Sequence, residues 1–99
     1  MTRMNRANLI EEKNNSKTMC MIKMLPLLQY AFPEIRNAFY YVDQETQDEL
    51  VCIQYRVILT SDITGNPYEK QMHFEVNVNC DSVMAMIDDV WRQCRRRFG

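Results

Sequence analysis

The sequence predicts an α+β fold: helix, three-stranded antiparallel meander and C-terminal helix, with the helices packed on one face of the sheet. Three observations predict it. Residues 50–60 and 68–79 alternate apolar and polar side chains with the period of two that belongs to strands. The turn-rich run Ser61-Asp62-Ile63-Thr64-Gly65-Asn66-Pro67 joins them, so they read as a hairpin. Residues 83–98 place Val83, Met86, Ile87, Val90, Trp91, Cys94 and Phe98 on one stripe at helical spacing.

Taken in order, the first 16 residues are polar and mixed in charge, with Met4, Ala7, Leu9 and Ile10 at partly helical spacing. They predict a short, frayed and mobile helical segment (1–16) ahead of a single α+β domain (17–99). From Lys17 the pattern becomes dense in apolar residues as far as Phe32, which predicts a heavily buried helix. Pro26 should kink that helix or mark a fresh start, because proline lacks the N–H donor and clashes with the preceding turn. Pro33 should end it.

Ala38-Phe39-Tyr40-Tyr41-Val42 is aromatic and β-prone, and Asp43 to Glu49 is a polar, acidic turn. In the next strand Val51, Ile53, Tyr55, Val57 and Leu59 share one face, with Cys52, Gln54, Arg56 and Ile58 on the other. In the third, Tyr68, Lys70, Met72, Phe74, Val76 and Val78 oppose Glu69, Gln71, His73, Glu75, Asn77 and Asn79. Two strands of this length extend roughly 35 Å, against a radius of gyration of about 13 Å for a compact domain of this size. The hairpin should therefore project, leaving two open sheet edges as docking places. Asp81 or Ser82 should cap the last helix.

Composition narrows the function classes. With 99 residues there is room for one core, and 46% apolar with 25% charged residues is globular composition. No apolar run approaches the roughly 20 residues that span a bilayer, and the N-terminus lacks the apolar centre of a secretory signal, so cytoplasmic residence is expected. The four cysteines, Cys20, Cys52, Cys80 and Cys94, are dispersed, with one histidine, His73, in the chain. Neither a metal site nor any other cofactor is expected; free, buried thiols are. Residues 1–33 carry five basic and two acidic side chains (net +3), residues 34–89 three and eleven (net −8), and residues 90–99 four arginines (net +4). Basic ends with an acidic middle disfavour a uniformly basic nucleic-acid surface and permit head-to-tail contact between copies.

Candidate sites are few. His73 lies beside Glu75 on the polar strand face, and Cys52 is the one conceivable nucleophile nearby; a surface histidine is the simpler reading. No phosphate loop, nucleophile elbow or metalloprotease motif occurs, so no enzyme is expected. Partner-binding candidates are Tyr40 or Tyr41, whichever shares the polar face with Arg56 and His73, and the carboxylates Asp43, Glu45, Asp48 and Glu49. The cluster Arg92, Arg95, Arg96 and Arg97 suits the negative end of the helix dipole and, alternatively, phosphate contact aided by Arg3, Arg6, Lys13 and Lys17. The element order resembles that of double-stranded RNA-binding domains. The last helix starts Cys80-Asp81-Ser82-Val83-Met84, acidic and apolar, so the resemblance is one of topology. The expectation is thus a small interaction domain that binds another protein or a second copy of itself. An adaptor, a virion or assembly component and an inhibitor of a larger enzyme, including the phage-borne kind, all suit it. The alternative is a nucleic-acid-associated protein.

Overall fold

A computed structural model describes residues 6–99, with side chains from Asn14 onward. The elements run α1 (Arg6–Ala31), β1 (Ile35–Val42), β2 (Glu49–Thr60), β3 (Pro67–Asn77) and α2 (Val83–Phe98). The three strands form one antiparallel sheet in the order β1-β2-β3, which is the expected α+β meander between two helices.

One side of α1 seats on the sheet through Lys17, Met21, Met24 and Leu28, at the i, i+4, i+7, i+11 spacing of a helix stripe. The opposite side is not buried: Met19, Ile22 and Leu27 are more than half exposed and Tyr30 is 91% exposed. The heavily buried helix expected from composition is thus buried on one side only. A two-layer domain puts sheet against one flank of a helix and leaves the other without a layer to meet. The helix also runs unbroken through the boundary expected after Ser16, and Pro26 lies inside it rather than opening a new one. Phe32 closes its last turn through an N–H bond to the Leu28 carbonyl, and Pro33 follows.

Strand β1 begins at Ile35, three residues earlier than its aromatic run suggests, and a register shift between Ile35 and Asn37 accommodates the extra residues. The turn to β2 is built on Asp43, whose carboxylate accepts from the backbone N–H groups of Glu45 (2.8 Å) and Thr46 (3.0 Å). Those bonds hold its carboxyl below the usual carboxylate range. The β2–β3 connection uses the Ser61 hydroxyl in the same way, and Gly65 supplies the positive φ of 74°. Ser82 caps α2 by accepting from the Ala85 N–H at 3.1 Å, and the Gly99 N–H bonds the Arg95 carbonyl.

Val51 and Ile53 of β2 and Val76 of β3 share the interior with Met86, Val90 and Cys94 of α2, Phe74 packs against it, and Tyr55 is buried beside Phe98. Burial pushes the Cys94 thiol up to about 11. At one end an aromatic group closes this core. The Phe98 ring lies 5.1 Å from Tyr55, 5.8 Å from Phe32 and 6.0 Å from Phe74, and Phe32 meets Trp91 at 5.5 Å. Of the six methionines with described side chains, Met21, Met24 and Met86 are core, while Met19, Met72 and Met84 are exposed. Among the described residues no helix is long and apolar enough to cross a membrane.

Candidate functional site

Strand β1 pairs only as far along β2 as Tyr55, and the Glu34 carbonyl takes the Arg56 N–H. The β2–β3 register continues through Arg56↔Gln71, Val57↔Lys70, Ile58↔Glu69 and Leu59↔Tyr68 to Thr60↔Pro67. These five pairs are a two-stranded ribbon that neither helix covers. The molecule is elongated, 68 × 29 × 18 Å with a radius of gyration of 16.8 Å, against about 13 Å for a compact domain of this size, and the ribbon contributes to that length. The projecting hairpin expected from strand length is present.

The ribbon is apolar for a surface so open. Leu59 and Tyr68 form a cross-strand pair on the same face as the core, 40% and 48% exposed, and Met72 shares that face beyond the Val57–Lys70 pair, opposite Tyr55. Ile58 occupies the opposite face, and Ile63 stands at the tip, 95% exposed. An isolated two-stranded hairpin is marginal in water, and monomers seldom leave contiguous apolar patches of this kind uncovered.

The polar face nominated from sequence has a defined geometry. Tyr41 is on it and Tyr40 is not, which corrects Tyr40 as a partner-binding candidate: its ring is buried against α1. The Tyr41 hydroxyl donates to the Glu75 carboxylate at 2.6 Å, and that bond raises the phenol to about 12. Phe39 packs beside Tyr41, ring centroids 5.8 Å apart, and Cys52 is buried on this face, its thiol raised by burial. Arg56 is tied to Glu69 at 2.9 Å, with Arg36 reaching the same oxygen from β1 at 3.2 Å. The two guanidinium groups keep the Glu69 carboxyl low. His73 is exposed opposite Gln54, and its neighbour Glu75 is occupied by Tyr41. Tyr41, Arg56 and His73 therefore share one face, as nominated, with Arg56 already held by an internal ion pair.

The acidic turn divides. Asp43 and Glu45 stay in the turn, and Asp48 accepts from the Asn79 side chain at 2.9 Å. Glu49 leaves the set, because its carboxylate turns inward and meets the Lys17 ammonium at 2.5 Å. Lys17 is fully buried; it also donates to the carbonyls of Cys80 (2.8 Å) and Val78 (3.2 Å), and lies 5.8 Å from the centre of the Tyr40 ring. The Tyr40 hydroxyl donates to Glu49 at 2.8 Å, and burial together with that contact raises its phenol. This polar clasp joins α1, β1, β2 and the β3–α2 connection, and Lys17 is accordingly not a phosphate-contacting residue. Arg3 and the side chains of Arg6 and Lys13 lie outside the described residues. At the other end of α2, Arg92 pairs with Asp88 and Asp89, and Arg97 lies over the Phe74 ring at 4.5 Å. Arg95 and Arg96 are exposed.

Two concavities were not anticipated from sequence. An apolar groove of about 560 Å³ runs between the helices, lined chiefly by Met19, Met24, Leu27, Ile87 and Trp91. A smaller hollow of about 320 Å³ lies beside β3, bounded by Phe74, Gln93, Arg96 and Arg97. No protein family, curated protein or solved structure matches the chain.

Proposed function

We propose that this chain is a non-enzymatic interaction domain that works by binding protein through the distal half of its β2–β3 hairpin. The uncovered ribbon carries the reading: Ile58, Leu59, Ile63, Tyr68 and Met72 are 40% exposed or more, on an arm that reaches beyond the helices. Scaled by ordinary side-chain areas, their exposed surface is on the order of 600 Å², against the roughly 800 Å² that each partner buries in a standard interface. Strand addition also offers unused backbone donors and acceptors on both ribbon edges, so affinity need not come from side chains alone. The arginine cluster supports phosphate contact less well. Arg92 and Arg97 are engaged within the fold, and the neighbouring acidic residues Asp88 and Asp89 would repel phosphate.

The test compares the wild-type chain with a triple variant, Ile58→Thr, Leu59→Thr and Ile63→Ser, chosen because the ribbon tip contributes nothing to the core. Binding to proteins of the native host, and to the chain itself, is measured by affinity capture with quantitative mass spectrometry and by light scattering. The expected result is loss of at least one specific partner with far-ultraviolet circular dichroism and melting temperature preserved. Identical binding profiles for the two chains would refute the proposal.

A further inference from the structure

The open edge of β3 bears on which partner the ribbon takes. Strand β3 is an edge over its full length, Pro67 to Asn77, and its register with β2 contains no bulge. Edge strands are normally blunted by bulges, prolines or lysines along their length, whereas here Pro67 sits at the start and Lys70 is the one lysine. The Val78 N–H bonds the Glu49 carbonyl, so by the period of two the even residues of β3 bond β2. The odd residues Glu69, Gln71, His73 and Glu75 turn their N–H and C=O groups to the open edge.

We infer that two copies of this chain join their β3 strands edge to edge, antiparallel, about a twofold axis at Gln71, to make one continuous six-stranded sheet. The proposal rests on the protein-binding reading above and names the partner as a second copy. Pairing of a strand with itself is restricted by charge. An axis at Glu69 sets that carboxylate against itself, one at Lys70 sets ammonium against ammonium, and one at Met72 sets Glu69 against Glu75 twice. Axes at His73 and Phe74 also oppose no like charges, but the first sets no carboxylate against His73 and the second pairs only residues 71–77; an axis at Gln71 avoids all three clashes and pairs residues 67–75. It places Glu69 opposite His73 of the other copy on the polar face, and Lys70 opposite Met72 and Tyr68 opposite Phe74 on the helix-bearing face.

The last of these pairs meets a feature already in the fold. The hollow of about 320 Å³ between β3 and α2 is bounded by Phe74, Gln93, Arg96 and Arg97, so one of its walls belongs to the edge strand itself. In this register Tyr68 of the second copy arrives opposite Phe74, at the mouth of that hollow. Its ring, 48% exposed in the single chain, would stack between an aromatic ring and guanidinium groups. A twofold axis fills both hollows at once, as an isologous interface requires.

Sedimentation equilibrium and light scattering at about 100 μM, where a dimer of micromolar affinity is saturated, should give twice the 11.9 kDa chain mass. Gln71→Pro removes an N–H that the single chain does not use, a change edge strands tolerate, and should yield a monomer. Tyr68→Ala and His73→Glu should each weaken association by about tenfold or more, the first by emptying the hollow and the second by facing Glu69 with a carboxylate. Gln71→Cys should form an interchain disulfide under mild oxidation faster than the wild-type chain, because paired Cα atoms in such a ladder lie about 5.5 Å apart. A monomeric wild-type chain at that concentration overturns the inference. So does a dimer indifferent to Gln71→Pro, Tyr68→Ala and His73→Glu, or a Gln71→Cys chain that cross-links no faster than wild type. In each of those cases the tip triple variant still decides separately whether the ribbon binds other proteins.

Discussion

Replacing Lys17 by methionine keeps most of the stem that packs in the core and deletes only the ammonium group. Three acceptors lose one donor each: the Glu49 carboxylate at 2.5 Å and the carbonyls of Cys80 and Val78 at 2.8 and 3.2 Å, the last still accepting the Cys80 N–H. Breaking one side of a buried ion pair costs about 3–5 kcal/mol, because the remaining charge is left desolvated. Glu49 retains 18% side-chain exposure and still accepts from Tyr40, so the low end, about 3 kcal/mol, is expected. That is a large part of the 5–15 kcal/mol typical of a domain, yet small enough to leave it folded. With a urea slope of about 1.5 kcal/mol per molar, ordinary for a small protein, the midpoint should fall by about 2 M. Fluorescence of Trp91, the single tryptophan, reports the transition. The second arm is Lys17→Met with Glu49→Gln. The amide carbonyl can still accept from Tyr40 and no buried charge remains, so the double variant should be at least about 1 kcal/mol more stable than additivity of the two single changes implies. A Lys17→Met loss below about 1 kcal/mol, or strict additivity in the cycle, would refute the view that this clasp anchors α1 to the sheet.

Two further outcomes follow from local geometry. Tyr41 should ionise near pH 12, from an ordinary value near 10, and Glu75→Gln should bring it back toward 10 in a phenolate absorbance titration. Since the folded state holds the phenol neutral, that stabilisation is complete below pH 10 and is lost as pH rises through about 12, so wild type should lose more stability across that window than Tyr41→Phe does; parallel losses would contradict this. Ser82→Ala deletes the acceptor for the Ala85 N–H and should cost about 1 kcal/mol, a fall of about 4–8 °C in melting temperature by calorimetry. An unchanged melting temperature would show that the cap contributes nothing.

The parts of the fold legible in the sequence are those set by periodicity. Alternation through residues 50–60 and 68–79 gave both long strands, and the stripe from Val83 to Phe98 gave α2, because a half-buried element records its own geometry in every second or every third to fourth residue. Segment 17–32 carries apolar residues on all sides, so its pattern holds no direction and concealed that one flank is exposed. The choice between Tyr40 and Tyr41 needed the β1–β2 register, which no local pattern contains. Glu49 could have been placed: it has the parity of Val51, Ile53 and Tyr55, and so faces the helices. Lys17 likewise falls on the stripe of Met21, Met24 and Leu28. Two opposite charges on two core-facing stripes must pair or go unsatisfied, but only the stripe of Glu49 is legible in the sequence, because residues 17–32 show no preferred face.

The same parity explains why the exposed apolar surface lies where it does. Odd residues of β2 and even residues of β3 lie on the helix-bearing face from one end of the hairpin to the other, and past the point where cover stops they are apolar apart from Lys70, as far as Ser61 in the tip turn. Helix α1 ends at Ala31, with Pro33 and Glu34 coming up against Arg56, Val57 and Ile58, and Phe98 packs over Tyr55 and Phe74 in the last turn of α2. Leu59, Tyr68 and Met72 then continue a core-type face into solvent, and a sequence that needed only to solvate this arm would place polar residues there. Apolar side chains in core register without a core above them make sense when another polypeptide supplies the missing layer or continues the sheet, which is why the ribbon, rather than the arginine cluster or the acidic turn, is the surface to mutate first.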